Sequence, residues 1–103
     1  MPGIDFKKLR AEITMEEVLN LLGFESSRRA GVQWYGPCPF HASSPRRSPF
    51  SVNVERRCFH CHQCGREGNQ LDLWAIFTRR HLHPASVDLC RALGREVPWL
   101  RRR

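Results

Sequence analysis

Two ligand-rich stretches, CPFH at 38–41 and CHQC at 61–64, constrain this chain more than any other feature. Each places two metal-binding side chains with two residues between them, so that a tight turn can aim both at one ion. Nineteen residues separate His41 from Cys61, so the two pairs come from different parts of the chain. Brought together by strands, they complete a tetrahedron of three thiolates and one imidazole, a donor set that suits zinc. Pro37 and Pro39 stiffen the first turn, and Gly65 follows the second, where the backbone needs an unusual φ. The expected ligands are Cys38, His41, Cys61 and Cys64, holding one zinc ion. Four ligands leave no position open for water, and no Asp or Glu lies inside either stretch to act as a general base. The zinc is therefore read as structural, and no residue as catalytic. With 103 residues the chain has room for one small domain, whose core alone gives a thin margin of stability. A structural metal coupled to folding relieves that problem.

The remaining cysteines and histidines read differently. Cys58 and Cys61 offer an alternative pair, but residues three apart on a strand project to opposite faces. No turn residue follows Cys58, so it is read as a sheet residue. Cys90 shares a helical stretch with Val87 and Leu93 and is expected to be a buried thiol. His62 sits inside the second turn with its ring outward, and His81 and His83 flank a helix end as a solvated turn. No apolar run is long enough to span a membrane, and the opening MPGIDFKKLRAE lacks a signal-peptide core. The expected location is a reducing cytoplasm, where paired cysteines are metal ligands rather than disulfides.

Residues 4–24 read as helix, with their second half the stronger. Thr14 and Glu17 form a capping box, Val18, Leu21 and Leu22 make an apolar stripe, and Gly23 supplies the stop. A turn at Ala30-Gly31 is flanked by strand-like stretches, and residues 41–50 form a loop rich in Ser, Pro and Arg. FSVNV alternates Phe50, Val52 and Val54 against Ser51 and Asn53, the pattern of a half-buried strand; Glu55 to Arg57 turn, and CFHC begins the return. Asn69 caps a helix whose apolar face carries Leu73, Trp74 and Phe77. A last helix runs from Pro84 to Leu93, with Gly94 as its stop. The expected fold is a single α+β domain over 1–103, a zinc ribbon with a small antiparallel sheet and flanking helices. Its parts are a helical segment (1–23), the ribbon (26–68), C-terminal helices (69–94) and a basic tail (95–103).

Charge bears on the partner. Seventeen Lys and Arg face ten Asp and Glu, for a net charge of +7, and fifteen of the seventeen are Arg. Arg has a planar donor fork that suits phosphate and stacks on bases. Three of the fifteen, Arg101 to Arg103, end the chain, and a solvated surface accounts for the same excess. The arginines gather near the zinc stretches and the hairpins. Arg28 and Arg29 precede the first turn, with Trp34 and Tyr35 on the returning strand. Arg46 and Arg47 lie in the Pro/Ser loop, Arg56 and Arg57 in the turn before Cys61, and Arg66 after the last ligand. If the zinc draws the two knuckles together, these turns share one rim where Arg meets phosphate and aromatics stack on unpaired bases. Core packing remains the alternative for Trp34 and Phe59, and solvated turns for the Arg pairs.

The chain resembles the zinc-binding domain of bacterial and phage DNA primases, the Cys-His-Cys-Cys zinc finger. CPFH matches the family's first knuckle. FSVNVERRCFHCHQCGREGNQLDLW follows its course: a Phe-x-Val strand, a His before the cysteine pair, Gly after it, and Gly-Asn before a helix bearing Asp72. The resemblance runs from about Ile4 to Trp99. It implies the same four ligands, a role in binding single-stranded template DNA, and DNA contacts at Arg28, Arg29 and Arg56. Arg46, Arg47, Arg57 and Arg66 are added on charge and placement. The family's usual Pro-Ser-Phe before the strand is replaced by SPRRSPF, an insertion that brings two arginines. The family's catalytic domain, with its clustered carboxylates, is not seen among ten scattered acidic residues. The expectation is a standalone DNA-binding module without catalytic activity of its own. It would serve replication or a mobile element, in trans with a polymerase, a primase catalytic subunit or a helicase. The alternatives are a protein-interaction adaptor and a template-recognition subunit of a multi-chain primase.

Overall fold

Thr14 divides the N-terminal helical stretch in two in the computed structural model, which describes residues 3–41 and 49–100. Helix α1 (Phe6–Glu12) stops as Ile13 turns extended, and Thr14 starts α2 (Met15–Leu22) with both hydrogen bonds of its capping box to Glu17. Leu9, Ile13, Met15, Val18 and Leu19 are buried, and Gly23 ends α2 in the left-handed region. The last carbonyls of α1 receive donors from far along the chain. Gln70 Nε2 donates to the carbonyls of Arg10 (2.8 Å) and Ile13 (2.7 Å), and Arg57 Nη1 donates to those of Arg10 (2.5 Å) and Ala11 (2.8 Å). A helix end inside a fold needs such partners, because unpaired buried carbonyls are costly. Gln70 is itself buried, so its amide is a tie between α1 and the start of α3.

Five strands follow as an antiparallel meander: β1 (Arg28–Ala30), β2 (Gln33–Gly36), β3 (Phe50–Asn53), β4 (Cys58–Cys61) and β5 (Glu67–Asn69), in that spatial order. Register assigns every side chain to a face. One face carries Trp34, Phe50, Val52, Phe59 and Cys61, and packs on the helices. Phe50 is its centre. Its ring lies 5.4 Å from Phe24, 6.0 Å from Phe40 and 5.5 Å from Phe59. The other face carries two rows, Arg28–Tyr35–Ser51–His60–Glu67 and Gln33–Asn53–Cys58–Asn69.

Helix α3 (Gln70–Thr78) begins directly after β5, and a Gly-Asn pair makes that junction possible. Asn69 Oδ1 accepts from the amides of Leu71 and Asp72, while Asp72 reaches back to the Asn69 amide at 2.9 Å. A Cβ on Gly68 would stand 2.6 Å from the Asp72 Cβ, so only glycine lets the aspartate close the box. Phe77 departs from expectation. It lies at the C-terminal end of α3, beside Pro39 and Phe40 and beyond the core, and is 39% exposed. Helix α4 (Leu82–Ala92) starts two residues before the expected Pro84. That proline sits in the first turn, where its missing N–H has no helical partner to lose. Cys90 is fully buried, as expected, and burial pushes its thiol up. The chain ends lie together: Ile4 bridges Trp99, and the Leu100 amide donates to the Gly3 carbonyl.

Candidate metal centre and open sheet face

Strand order explains the long spacing between the two knuckles. Gly36 at the end of β2, Phe50 at the start of β3 and Cys61 at the end of β4 are neighbours in one row. Strands lie about 4.8 Å apart, so the knuckles leave the same end of the sheet about 10 Å from each other, with β3 between them. Cys38 and His41 then close on Cys61 and Cys64, and the four ligand atoms all lie within 4.8 Å of one another. Cys38 Sγ is 4.0 Å from Cys64 Sγ, and His41 Nε2 is 3.4 Å from Cys61 Sγ. A tetrahedron built from zinc–sulfur bonds of about 2.3 Å and zinc–nitrogen bonds of about 2.0 Å has edges of about 3.5–3.8 Å. The donor set and its spacing therefore fit one structural zinc ion.

The surroundings are built for that charge. The Cys64 amide points at Cys61 Sγ at 3.4 Å, and Gly65, at φ +78°, turns its amide onto the Cys61 carbonyl. Burial works against the Cys61 thiolate, but the amides of Cys64 and Gln63 outweigh it and hold this thiol below its ordinary range. Cys38 is the opposite case: burial and the neighbouring sulfurs of Cys61 and Cys64 push it up to about 12. A cation among the sulfurs reverses that penalty. Zinc loading at pH 7 is accordingly expected to expel at least one proton, from Cys38. Titration calorimetry in buffers of different ionisation enthalpy checks this, and a buffer-independent heat would contradict it. Phe40, between the first two ligands, packs on Phe50 and Phe59, so the knuckle is joined to the core.

Cys58, His62 and His81 fall where spacing put them; His83 does not, because α4 starts early enough to take it out of the expected solvated turn and leave it half-buried. Cys58 is exposed on the open face, away from the four ligands. His62 is exposed, its ring 4.6 Å from that of His60. His81 precedes α4, and His83 lies in its first turn, 5.9 Å from the Trp99 ring.

Among the described residues, the basic side chains do not form one rim. Arg28 lies on the open face with its guanidinium 4.4 Å over Tyr35, and Arg56 lines the same face from the β3–β4 turn. Arg29 stacks 3.7 Å over Trp34 on the helix side of the edge hairpin, where Trp34 is half-buried against the core. Arg66 is also on the helix side, 5.7 Å from the Phe40 ring. Arg57 is occupied by the carbonyls of α1. Arg46 and Arg47 lie outside the described residues. Sequence reasoning placed Tyr35 beside Trp34 on the returning strand but did not separate the two faces, and it overlooked the polar side chains of the open face. Ser51 and Asn53 were visible as the alternate set in β3, but only the register adds Gln33, His60 and Asn69 to them.

A family model described as the CHC2 zinc finger matches residues 4–103. The DNA primase of Treponema pallidum is 28% identical over 84 residues, covering 81% of this chain and 14% of the relative. That of Myxococcus xanthus is 33% identical over 70 residues, covering 68% of this chain and 11% of the relative. The chain thus spans about a seventh or less of the curated relatives it matches. Among solved structures, the Aquifex aeolicus primase with its zinc binding and RNA polymerase domains superposes with a TM-score of 0.74 at 22% identity, over 91% of this chain and 22% of that one.

Proposed function

This chain belongs to the CHC2 zinc finger family, and from that premise we propose that it binds single-stranded template DNA on the open face of its sheet. The family connects it with DNA primases and replication, and the relatives match it only through their zinc-binding part. The observation that carries the reading is the composition of that face. No described helix covers it, and it carries Arg28 stacked on Tyr35, Arg56 at its edge, amides and an imidazole between them, and the Glu67 carboxylate on its β5 side. A guanidinium beside an aromatic ring offers a phosphate contact and a stacking surface together. Arg46 and Arg47 join the proposal on sequence alone. The role is template recognition rather than nucleotide transfer, and the partner in trans is a polymerase domain, of the kind that accompanies the Aquifex aeolicus zinc-binding domain, or a helicase.

Anisotropy titration with single-stranded DNA, duplex and RNA tests the reading. Single strands are expected to bind best, with a log–log salt slope near −0.7 for each phosphate contacted. Replacing Arg28 and Arg56 together by alanine is expected to lower affinity about tenfold, or about 1.4 kcal/mol, and to flatten that slope. Unchanged affinity would favour the adaptor reading. One observation supports that alternative: Trp99, Leu100 and Leu82 are 42%, 54% and 38% exposed, leaving apolar surface near the chain ends and the start of α4.

A further inference from the structure

Helix α4 buries Ala85, Ser86, Leu89 and Cys90 and turns the opposite face outward. Pro84, Val87, Asp88 and Arg91 share that face, at the i, i+3, i+4 and i+7 spacing of helix neighbours, and line a concavity of about 370 Å³. Trp99 and His83 wall it, with ring centres 5.9 Å apart. Arg80 closes the end before α4, and Arg91 stands in the last turn. Arg80, Pro84, Arg91 and Trp99 are exposed, and the exposed Leu82 and Leu100 are chain neighbours of His83 and Trp99. Large apolar side chains gathered at a surface mark a contact site.

Charge says what the contact is with. From Arg79 onward the sequence holds seven arginines opposed only by Asp88 and Glu96, so this segment carries +5 of the net +7. Among the described residues, neither Arg80 nor Arg91 is in an ion pair. Trp99 also lines a second concavity, where Glu12 and Glu96 stand with Lys8 and Arg95. Within the α4 groove the one carboxylate is Asp88, whose Oδ2 accepts from Trp74 Nε1 at 3.3 Å. Its second oxygen has no donor among the described residues. A carboxylate in mid-groove repels a phosphate chain, which brings a charge with every nucleotide, but accepts the N–H of a peptide. The aliphatic floor of Pro84 and Val87 likewise suits side chains better than stacked bases.

We propose that this groove holds a short acidic peptide segment of a partner protein. Its apolar side chains lie on Pro84, Val87 and Trp99, flanking carboxylates meet Arg80 and Arg91, and a backbone N–H donates to Asp88. From Leu82 to Arg91 the helix rises about 14 Å, which an extended peptide covers in about four residues. The inference stands apart from the reading of the open sheet face.

The probe is a labelled hexapeptide with phenylalanine and leucine between two pairs of aspartates, titrated by anisotropy into the zinc-loaded chain. The chain is expected to bind it. Exchanging the aspartates for asparagines, or the apolar pair for glycine and serine, is expected to weaken binding about fivefold or more. Replacing Arg80→Glu and Arg91→Glu together is expected to weaken it about tenfold or more and to transfer preference to the same peptide with lysines for aspartates. That exchange is a result a merely structural effect does not give. Thermal melts check that the variant folds; should it not, Arg80→Ala with Arg91→Ala tests the same loss. Replacing Arg28→Ala and Arg56→Ala on the open face is expected to leave peptide affinity within about twofold, since neither arginine lines this groove. No binding by the wild-type chain, equal losses in the two pairs of variants, or indifference to the apolar pair overturns the proposal. So does a loss of oligo-dT binding in the Arg80/Arg91 variant with peptide affinity unmoved, which assigns the groove to nucleic acid. The peptide titration decides this inference whether or not the wild-type chain binds oligo-dT; failure to bind oligo-dT overturns only the open-face reading.

Discussion

Replacing Cys61 by serine is expected to cost the chain its zinc and its cooperative melting together. Cys61 is fully buried at the end of β4, paired with Phe50, and its sulfur receives the Cys64 amide. Serine keeps the shape but not the thiolate, and only Cys38, His41 and Cys64 remain to hold the ion. Structural zinc sites in small domains contribute about 10–16 kcal/mol of apparent binding energy at neutral pH, coupled to folding. That matches or exceeds the whole net stability of a typical domain, about 5–15 kcal/mol. Without the metal, two knuckles lose what joins them, and Phe40 loses the anchor that presses it on Phe50 and Phe59. Circular dichroism melts with zinc quantified in the same samples check this. A Cys61→Ser protein that keeps stoichiometric zinc and melts within a few degrees of the parent would contradict it.

Phe50→Ala is expected to be the most damaging change outside the metal ligands, at about 3–5 kcal/mol. Phe50 is fully buried, and its ring meets those of Phe24, Phe40 and Phe59. Those three come from the segment after α2, from the first knuckle and from β4, so the cavity left by alanine opens where helices, sheet and zinc turn converge. Its walls belong to different elements and cannot collapse as one. The zinc site should survive in the folded fraction while its affinity falls, because the sheet row that sets the knuckle spacing is loosened. Denaturant unfolding of the zinc-loaded protein measures the loss; a change below about 1 kcal/mol would show that the aromatic cluster does not support the clasp.

Local chemistry was readable from the sequence wherever a few neighbouring residues decide the outcome. The two knuckles, the Thr14–Glu17 box, the Asn69 cap, the alternation of Phe50 and Val52 and the first hairpin turn, which falls on Gly31 and Val32 one residue after the expected Ala30-Gly31, all depend on spacings of one to four residues. Features set by pairing between distant segments were not readable. β5 is Glu-Gly-Asn, which has little intrinsic strand preference, and it is a strand because β4 offers it an edge. Arg57 reads as one more exposed basic residue until the fold brings α1 to it. Gln70 reads as a surface amide at a helix start, yet it is buried because two α1 carbonyls need its N–H groups. The division of the arginines between faces follows from parity along strands, and one register step would exchange them. Arg28 and Arg29 differ by one residue and so point to opposite sides of the hairpin.

X-ray absorption at the zinc edge of the purified chain reads the four-ligand clasp itself. One zinc per chain is expected, bound by three sulfurs at about 2.3 Å and one nitrogen at about 2.0 Å, with no coordinated water. A chain free of zinc that is nonetheless folded, or a spectrum dominated by oxygen ligands, would contradict it.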